Sequence, residues 1–340
     1  MATRSTTHPT LLDVAKRVDP NGRIEGIAEL LTENNPILMD LVLSEGNLKT
    51  GHRCTVRTGW PTPAWVKVGY GVQPQKSTTR QVTFNSGMMK EFSEVPADLI
   101  ELGDNVAQFR ASEETPFIDS MNSEMADTIF YGDEGSNESE FTGISAYYNN
   151  SSAQNGSQII KGASTSGTDL RSIWIIGWGM NSVFCTYPKG YKSGLEYDDL
   201  GRYLSQTAPV EGSTRNDGRM FVYGAHYKWS MGLILKDWRF AVRIPNIQKN
   251  NLKKDASSGD DLIDLIHQGL NQMRNLTSVR PSVYMDRDLV GFVDRQSKYA
   301  VKDSTLKMSD IYGNGIEMMS VRGVPIHWCD ALDTDEGVVS

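Results

Sequence analysis

Apolar residues recur at helical spacing most clearly in "TPFIDSMNSEMADTIFYG". There Phe117, Ile118, Met121, Met125 and Ile129 form one stripe that Gly132 ends. Thr115 suits an N-cap and Pro116 the first helical position. The pattern also extends upstream through "SEVPADLIELGDNVAQFRAS", so a fresh start at Thr115 and a longer helix kinked at Pro116 both fit the residues. "SSGDDLIDLIHQGLNQM" predicts a second helix, with Ser258 and Asp261 resembling a capping box and Leu262, Leu265, Ile266, Leu270 and Met273 on its buried face. Near the start, "LLDVAKRV" and "IEGIAELL" are short helical patterns separated by the turn "DPNGR". Neither has enough apolar surface to stand alone, nor does "NPILMDLVLSEGN", and residues 1–47 read as an extended arm.

β-Branched and alternating residues dominate "HRCTVRTG" and "RQVTFNSGMMKEF", which flank "WPTPAWVKVGYGVQPQKS". This predicts a long hairpin over 48–92 with a bulky tip, carrying Trp60, Trp65 and Tyr70 among prolines and glycines. A two-stranded ribbon is marginal in water unless it packs on something. The aromatics therefore either fold back on their own domain or meet a partner. Further strands are expected in "SIWIIGWGMNSVFCTYPKG" and "RMFVYGAHYKWSMGLILKDWRFAVRIPNI", the latter a long pair with Gly232 near its middle. "RPSVYMDRDLVGFVDRQ" predicts a strand then a helix, and "VPIHWCDAL" a closing strand. Two stretches read as polar surface loops: 133–169, rich in Ser, Asn and Gly, and "YDDLGRYLSQTAPVEGSTRNDG". The fold class that follows is α+β.

The 340 residues allow two domains, and 39% hydrophobic with 22% charged residues describes a chain that folds. A formal charge of −8 argues against a protein whose main task is neutralising phosphates. Lys249, Lys253 and Lys254 read as a solvated face. Cys54, Cys185 and Cys329 are far apart and odd in number, so reduced thiols are expected. No signal peptide and no membrane span are expected, and the N-x-S/T triplets at Asn149 and Asn275 then read as chance.

Candidate chemistry is sparse. There is no P-loop, CxxC, HExxH or nucleophile elbow, and "GASTSG" lacks the G-x-S-x-G spacing. The pairs Glu113/Glu114 and Asp260/Asp261 read as helix-start charges. "VRGVPIHWCDALD" places a histidine, a cysteine and an aspartate together. With a period of two, however, His327 and Cys329 share one strand face and Asp330 the other, which separates a base from its carboxylate. A hydrolase using Cys329 and His327 is the alternative to a buried closing strand. A zinc shared with His52 and Cys54 is a remoter one, since two local ligands are too few. No catalytic, cofactor-binding or metal residues are assigned, and no cofactor is expected.

Several stretches together resemble the major capsid proteins of tailed bacteriophages. "MADTIFYGDEGSNESEFTGISAYYN" is similar to the turn after their long helix. "DWRFAVRIPNI" resembles their R-x-x-R-I-x-N-I strand, "PSVYMDRDLVGFVDRQ" their strand–helix unit, and "VRGVPIHWCDAL" their closing strand. The likeness runs in order from about residue 10 to 335, and order and spacing carry it more than any one motif. It implies the Hong Kong 97-like capsid fold, with an N-terminal arm over 1–47, an extended loop over 48–93, and a peripheral domain over 94–246 with a spine helix near 104–131. An axial domain over 247–340 completes it, with 133–216 assignable to either domain. The implied function is self-assembly into pentamers and hexamers of an icosahedral shell enclosing double-stranded DNA, without sequence-specific binding and without enzymatic activity. Candidate contacts between subunits are Trp60, Trp65, Tyr70, Leu11, Leu12, Leu30 and Leu31. Implied partners are copies of itself and scaffolding, portal and decoration proteins, with no membrane. The chain carries no long helical extension to act as a fused scaffold, which favours an external one. The implied location is the virion, after assembly in the host cytoplasm. Another phage structural protein, such as a decoration or tail component, is the remaining alternative.

Overall fold

A computed structural model describes residues 33–101, 106–164, 167–208, 218–254, 259–299, 306–309 and 318–339. Both helical patterns expected before residue 33 fall outside these. In chain order the described strands are β1 (Leu43–Glu45), β2 (Gly51–Gly59), β3 (Thr78–Asn85), β4 (Gly87–Pro96), β5 (Leu170–Trp178), β6 (Val183–Tyr187), β7 (Leu195–Ala208), β8 (Gly218–Leu235), β9 (Ala241–Gln248), β10 (Arg280–Met285), β11 (Leu306–Ser309), β12 (Met318–Val321) and β13 (Val324–Trp328). The helices are α1 (Ile37–Asp40), α2 (Ala97–Glu101), α3 (Val106–Tyr131), α4 (Ile144–Tyr147), α5 (Leu262–Gln272) and α6 (Arg287–Tyr299). The described residues form two compact units, one drawn from 36–87, 127–193 and 231 onward, the other from 33–35, 88–126 and 194–230.

In the larger unit every residue of β5 is buried. The alternation expected from its sequence is absent because both of its faces are covered, which is why it reads as a nearly continuous apolar run. β5 pairs antiparallel with β9 and β10, β10 pairs parallel with β13, and β12 and β11 follow outward. β6 pairs parallel with β1 and antiparallel with the end of β8. One face of this sheet presents Ile173, Ile175, Val242, Ile244, Val283, Met285 and Ile326 to Leu262, Ile266 and Leu270 of α5 and Leu289 and Val293 of α6. α5 begins at Asp261, whose carboxylate accepts from the N–H groups of Ile263 and Asp264 at 3.2 and 3.2 Å. Ser258, its expected partner, lies outside the described residues. At the β12–β13 turn, Arg322 and Gly323 have φ of 54° and 79°, the two positive angles of a tight hairpin that follows the strand twist.

In the smaller unit residues 197–208 of the stretch expected to be a polar loop lie in strand β7, paired antiparallel with β8 over most of its length, and 209–217 fall outside the described residues. Composition misleads here because its polar residues have partners. Glu94 on β4 accepts from Tyr203 at 2.6 Å and Ser205 at 2.9 Å, and Arg110 donates to Asp199 at 2.8 Å and to Glu114 at 3.2 Å. α3 runs through Pro116 without a new start, so Thr115 is not an N-cap. Its hydroxyl donates to the Ala111 carbonyl at 2.9 Å, one turn earlier, beside the backbone bond that the proline removes.

Candidate assembly surface

Three of the motifs singled out in the sequence turn out to be structural locks in the larger unit. The first closes α3. The Gly132 N–H donates to the Thr128 carbonyl at 2.9 Å, and Gly143 N–H donates to the Gly132 carbonyl at 2.7 Å, folding the chain back on the helix end. A Cβ at Gly143 would lie 2.6 Å from the Thr128 oxygen, so only glycine admits this approach. Phe141, Ile144 and Tyr148, within the stretch expected to be an exposed excursion, are all buried. Few in number, they pin 141–148 where composition suggested solvent, while 135–139 and 152–154 are exposed as expected.

The second lock holds the C-terminal segment. In "RIPNI", Arg243 is buried and donates to Glu336 at 2.9 Å and to the Tyr148 carbonyl at 3.0 Å. Glu336 also accepts from Ser172, and from Tyr131 at 2.5 Å. The Tyr131 hydroxyl is held protonated far above its ordinary range, by burial first and then by the Glu336 charge beside it. Asn246, with φ of 65°, exchanges two hydrogen bonds with the backbone of Val339, both 2.9 Å. The arginine and asparagine of the motif thus hold residues some 90 positions away along the chain, which no local reading could pair.

The third contains the histidine and cysteine candidates. Arg243, Trp174, Tyr284 and His327 are register partners across β9, β5, β10 and β13, and so form one row on the face opposite α5 and α6. Arg243 lies over the Trp174 ring at 4.9 Å, and His327 stacks on Tyr284 at 5.8 Å. Phe130 of α3 meets both Trp174 and Tyr284. The carboxylate beside His327 is Asp40 in α1, at 3.6 Å, and Asp40 also accepts from the Tyr284 hydroxyl at 2.5 Å. Burial lowers the His327 pKa, with the Asp40 charge opposing it, so a neutral imidazole is packed here. Asp330 pairs with Arg287 at 3.3 Å instead. Cys329 is fully buried past the strand end, and its N–H donates to the Met285 carbonyl at 3.0 Å. A buried thiol with no open approach is not a nucleophile poised for substrate. Asp40 is the residue that sequence reasoning missed, since nothing in "NPILMDL" marks that aspartate as a partner for His327.

Trp60, Trp65 and Tyr70 are on the surface. β2 and β3 form a two-stranded antiparallel sheet from Gly51↔Asn85 to Gly59↔Thr78. Its base is anchored by Cys54 and Phe84, which pack with Phe184 and Ile234. Beyond that the ribbon and its tip are bare: Trp60 is 78% exposed, Tyr70 74%, and Trp65 and Val68 wholly so. The tip does not fold back. Leu11, Leu12, Leu30 and Leu31 lie outside the described residues.

A family model described as major capsid protein GP7 matches residues 19–340. The chain belongs to that family. Among solved structures, a chain from the near-atomic cryo-EM structure of bacteriophage Epsilon15 is 28% identical with a TM-score of 0.76, each chain covered over 100% of its length. A chain of the bacteriophage JBD30 capsid is 10% identical with a TM-score of 0.48, covering 90% of this chain and 93% of that one. No curated protein matches. This major capsid protein therefore has the α+β, Hong Kong 97-like fold of tailed-phage shells, is structural and not enzymatic, and belongs in the virion. The hydrolase reading has no support. Among the described residues no helix is long and apolar enough to cross a membrane.

Proposed function

We propose that this major capsid protein assembles as pentamers and hexamers into the icosahedral head that encloses a double-stranded DNA genome, and that the β2–β3 hairpin is a principal contact between its subunits. The observation that carries the hairpin's role is the bare aromatic tip on a ribbon that has no core of its own. Large apolar side chains left in water on a marginal element are stabilised when a neighbouring subunit covers them. Trp60, Trp65 and Tyr70 are the proposed contacts there, and Leu11, Leu12, Leu30 and Leu31 those of the arm. In this reading 1–47 is the N-terminal arm, 48–93 the extended loop, 94–246 the peripheral domain with α3 as its spine and with 133–216 assignable to either domain, and 247–340 the axial domain. Net charge of −8 suits a container wall, because it leaves packaged DNA loosely held. Assembly takes place in the host cytoplasm with an external scaffolding protein and a portal, and decoration proteins bind afterwards.

Negative-stain electron microscopy tests this, on the protein expressed alone and with the neighbouring phage genes. Closed shells or rings of five and six subunits are expected. Deleting residues 58–74 is expected to leave a soluble chain that closes no shells. Normal particles from that deletion would remove the hairpin from the contact.

A further inference from the structure

The stem of the hairpin borders a cleft of about 770 Å³ within the larger unit. Arg57, Lys236, Arg239 and Arg274 line it against one carboxylate, Asp237. Asp237 already accepts from Arg239 at 2.8 and 2.9 Å and lies 3.4 Å from Arg274, so positive charge remains in excess. The imbalance extends along the whole hairpin. Residues 51–85 contain five Lys and Arg (Arg53, Arg57, Lys67, Lys76, Arg80) and no Asp or Glu, in a chain of net charge −8. The compensating charge lies mostly elsewhere. Residues 111–160 contain no Lys or Arg at all, and the segment 133–140 places four carboxylates (Asp133, Glu134, Glu138, Glu140) in eight residues.

We infer that the basic cleft at the hairpin stem receives the carboxylate-rich segment 133–140 of a second copy of this chain. Within one copy none of these residues lines the cleft. Glu134 accepts from Asn85 at 2.5 Å, Asp133 from Ser136 at 2.8 Å and Glu140 from Asn137 at 2.5 Å. Those partners are neutral, so the carboxylate charge is left uncompensated by them. A concave site of this size takes a few side chains of a loop. A nucleic-acid duplex is instead bound by extended basic surfaces that track its backbone. Opposite charges on two surfaces of one chain steer copies into a single relative orientation, because like-charged juxtapositions are repelled. This rests on the shell-forming reading and names a second contact, adjoining the aromatic tip through Trp60, which also lines the cleft, and setting orientation before Trp65 and Tyr70 are covered.

The test is the rate of shell formation by the full chain, followed by light scattering at low ionic strength and checked by electron microscopy. Arg57→Glu and Glu138→Lys are both exposed changes, each expected to slow assembly about tenfold, with the loss shrinking as salt is raised. A chain carrying both is expected to recover most of the rate, and Arg57→Gln to fall between. Additive losses in the double variant would overturn the inference. So would a wild-type rate indifferent to salt, or an Arg57→Glu chain that assembles normally and loses only affinity for a DNA fragment. Wild-type chain that forms no shells even with the neighbouring phage genes co-expressed would overturn the shell-forming reading itself, whereas wild-type shells with no charge effect would overturn only this contact.

Discussion

The sheet around β5 and the hairpin β2–β3 belong to the same compact unit, yet they are built on opposite principles. Around β5, a buried ion pair is held within the chain: Arg243 and Glu336 are both buried, and each has partners besides the other. On the hairpin, tryptophans stand in water and five cations face no carboxylate of their own segment. The first region makes the subunit a stable object by itself. The second is legible only as part of something larger. In the proposed shell, exposure of this kind is no defect of packing, because the partner proposed for it is another copy.

The comparison breaks most visibly if the buried pair is cut. Arg243→Ala leaves Glu336 charged and uncompensated and is expected to cost about 3–5 kcal/mol of subunit stability, read from urea unfolding. A loss under 1 kcal/mol would mean the C-terminal segment is not held as described. Next comes Gly232, where the two regions meet. A Cβ there would lie 2.7 Å from the Asn85 carbonyl and 3.0 Å from the Ser86 Cα, both backbone atoms at the hairpin base. Gly232→Val is expected to cost about 1–3 kcal/mol through overpacking, and an unchanged unfolding midpoint would show that the hairpin base is free to shift.

A pH series sharpens the description of the core. The folded-state pKa of His327 lies below its ordinary value of 6.5. Above that value both states hold a neutral imidazole. As pH falls through it, the unfolded chain takes up a proton that the fold resists, so stability falls on acidification until the folded pKa is passed. His52 and His267 are shifted in the same direction and add to the slope. His327→Gln is expected to flatten the decline below about pH 6.5 without abolishing it, and an identical slope would exclude His327 from it. The smallest effect is expected at Trp65. Trp65→Ala is predicted to move subunit stability by no more than about 0.5 kcal/mol while impairing shell closure. A large destabilisation of the isolated subunit would place the tip in its own core after all.

How much of this was legible in the sequence differs by region. α5, α6, the hairpin strands and the closing strand follow from periodicity and turn residues, because each signal is local. β7 was not legible. Asp199, Tyr203 and Ser205 look like loop residues until Glu94 and Arg110 arrive beside them. Part of 133–169 failed for a related reason, since four buried apolar side chains, Phe141, Ile144, Tyr148 and Ile159, lie in a stretch whose average composition is polar.

The sequence by itself determined the α+β class, the lack of any recognisable catalytic motif, and, through the order of weak motifs, the resemblance to phage shells that the family match supports. Only the tertiary structure decided what those motifs are for. Arg243 finds Glu336, Asn246 finds Val339, and His327 finds Asp40 rather than the adjacent Asp330. Side-chain period and turn preference are properties of neighbours along the chain. The partner of a buried charge is set by which distant strands fall into register, and that register is chosen by the whole core at once.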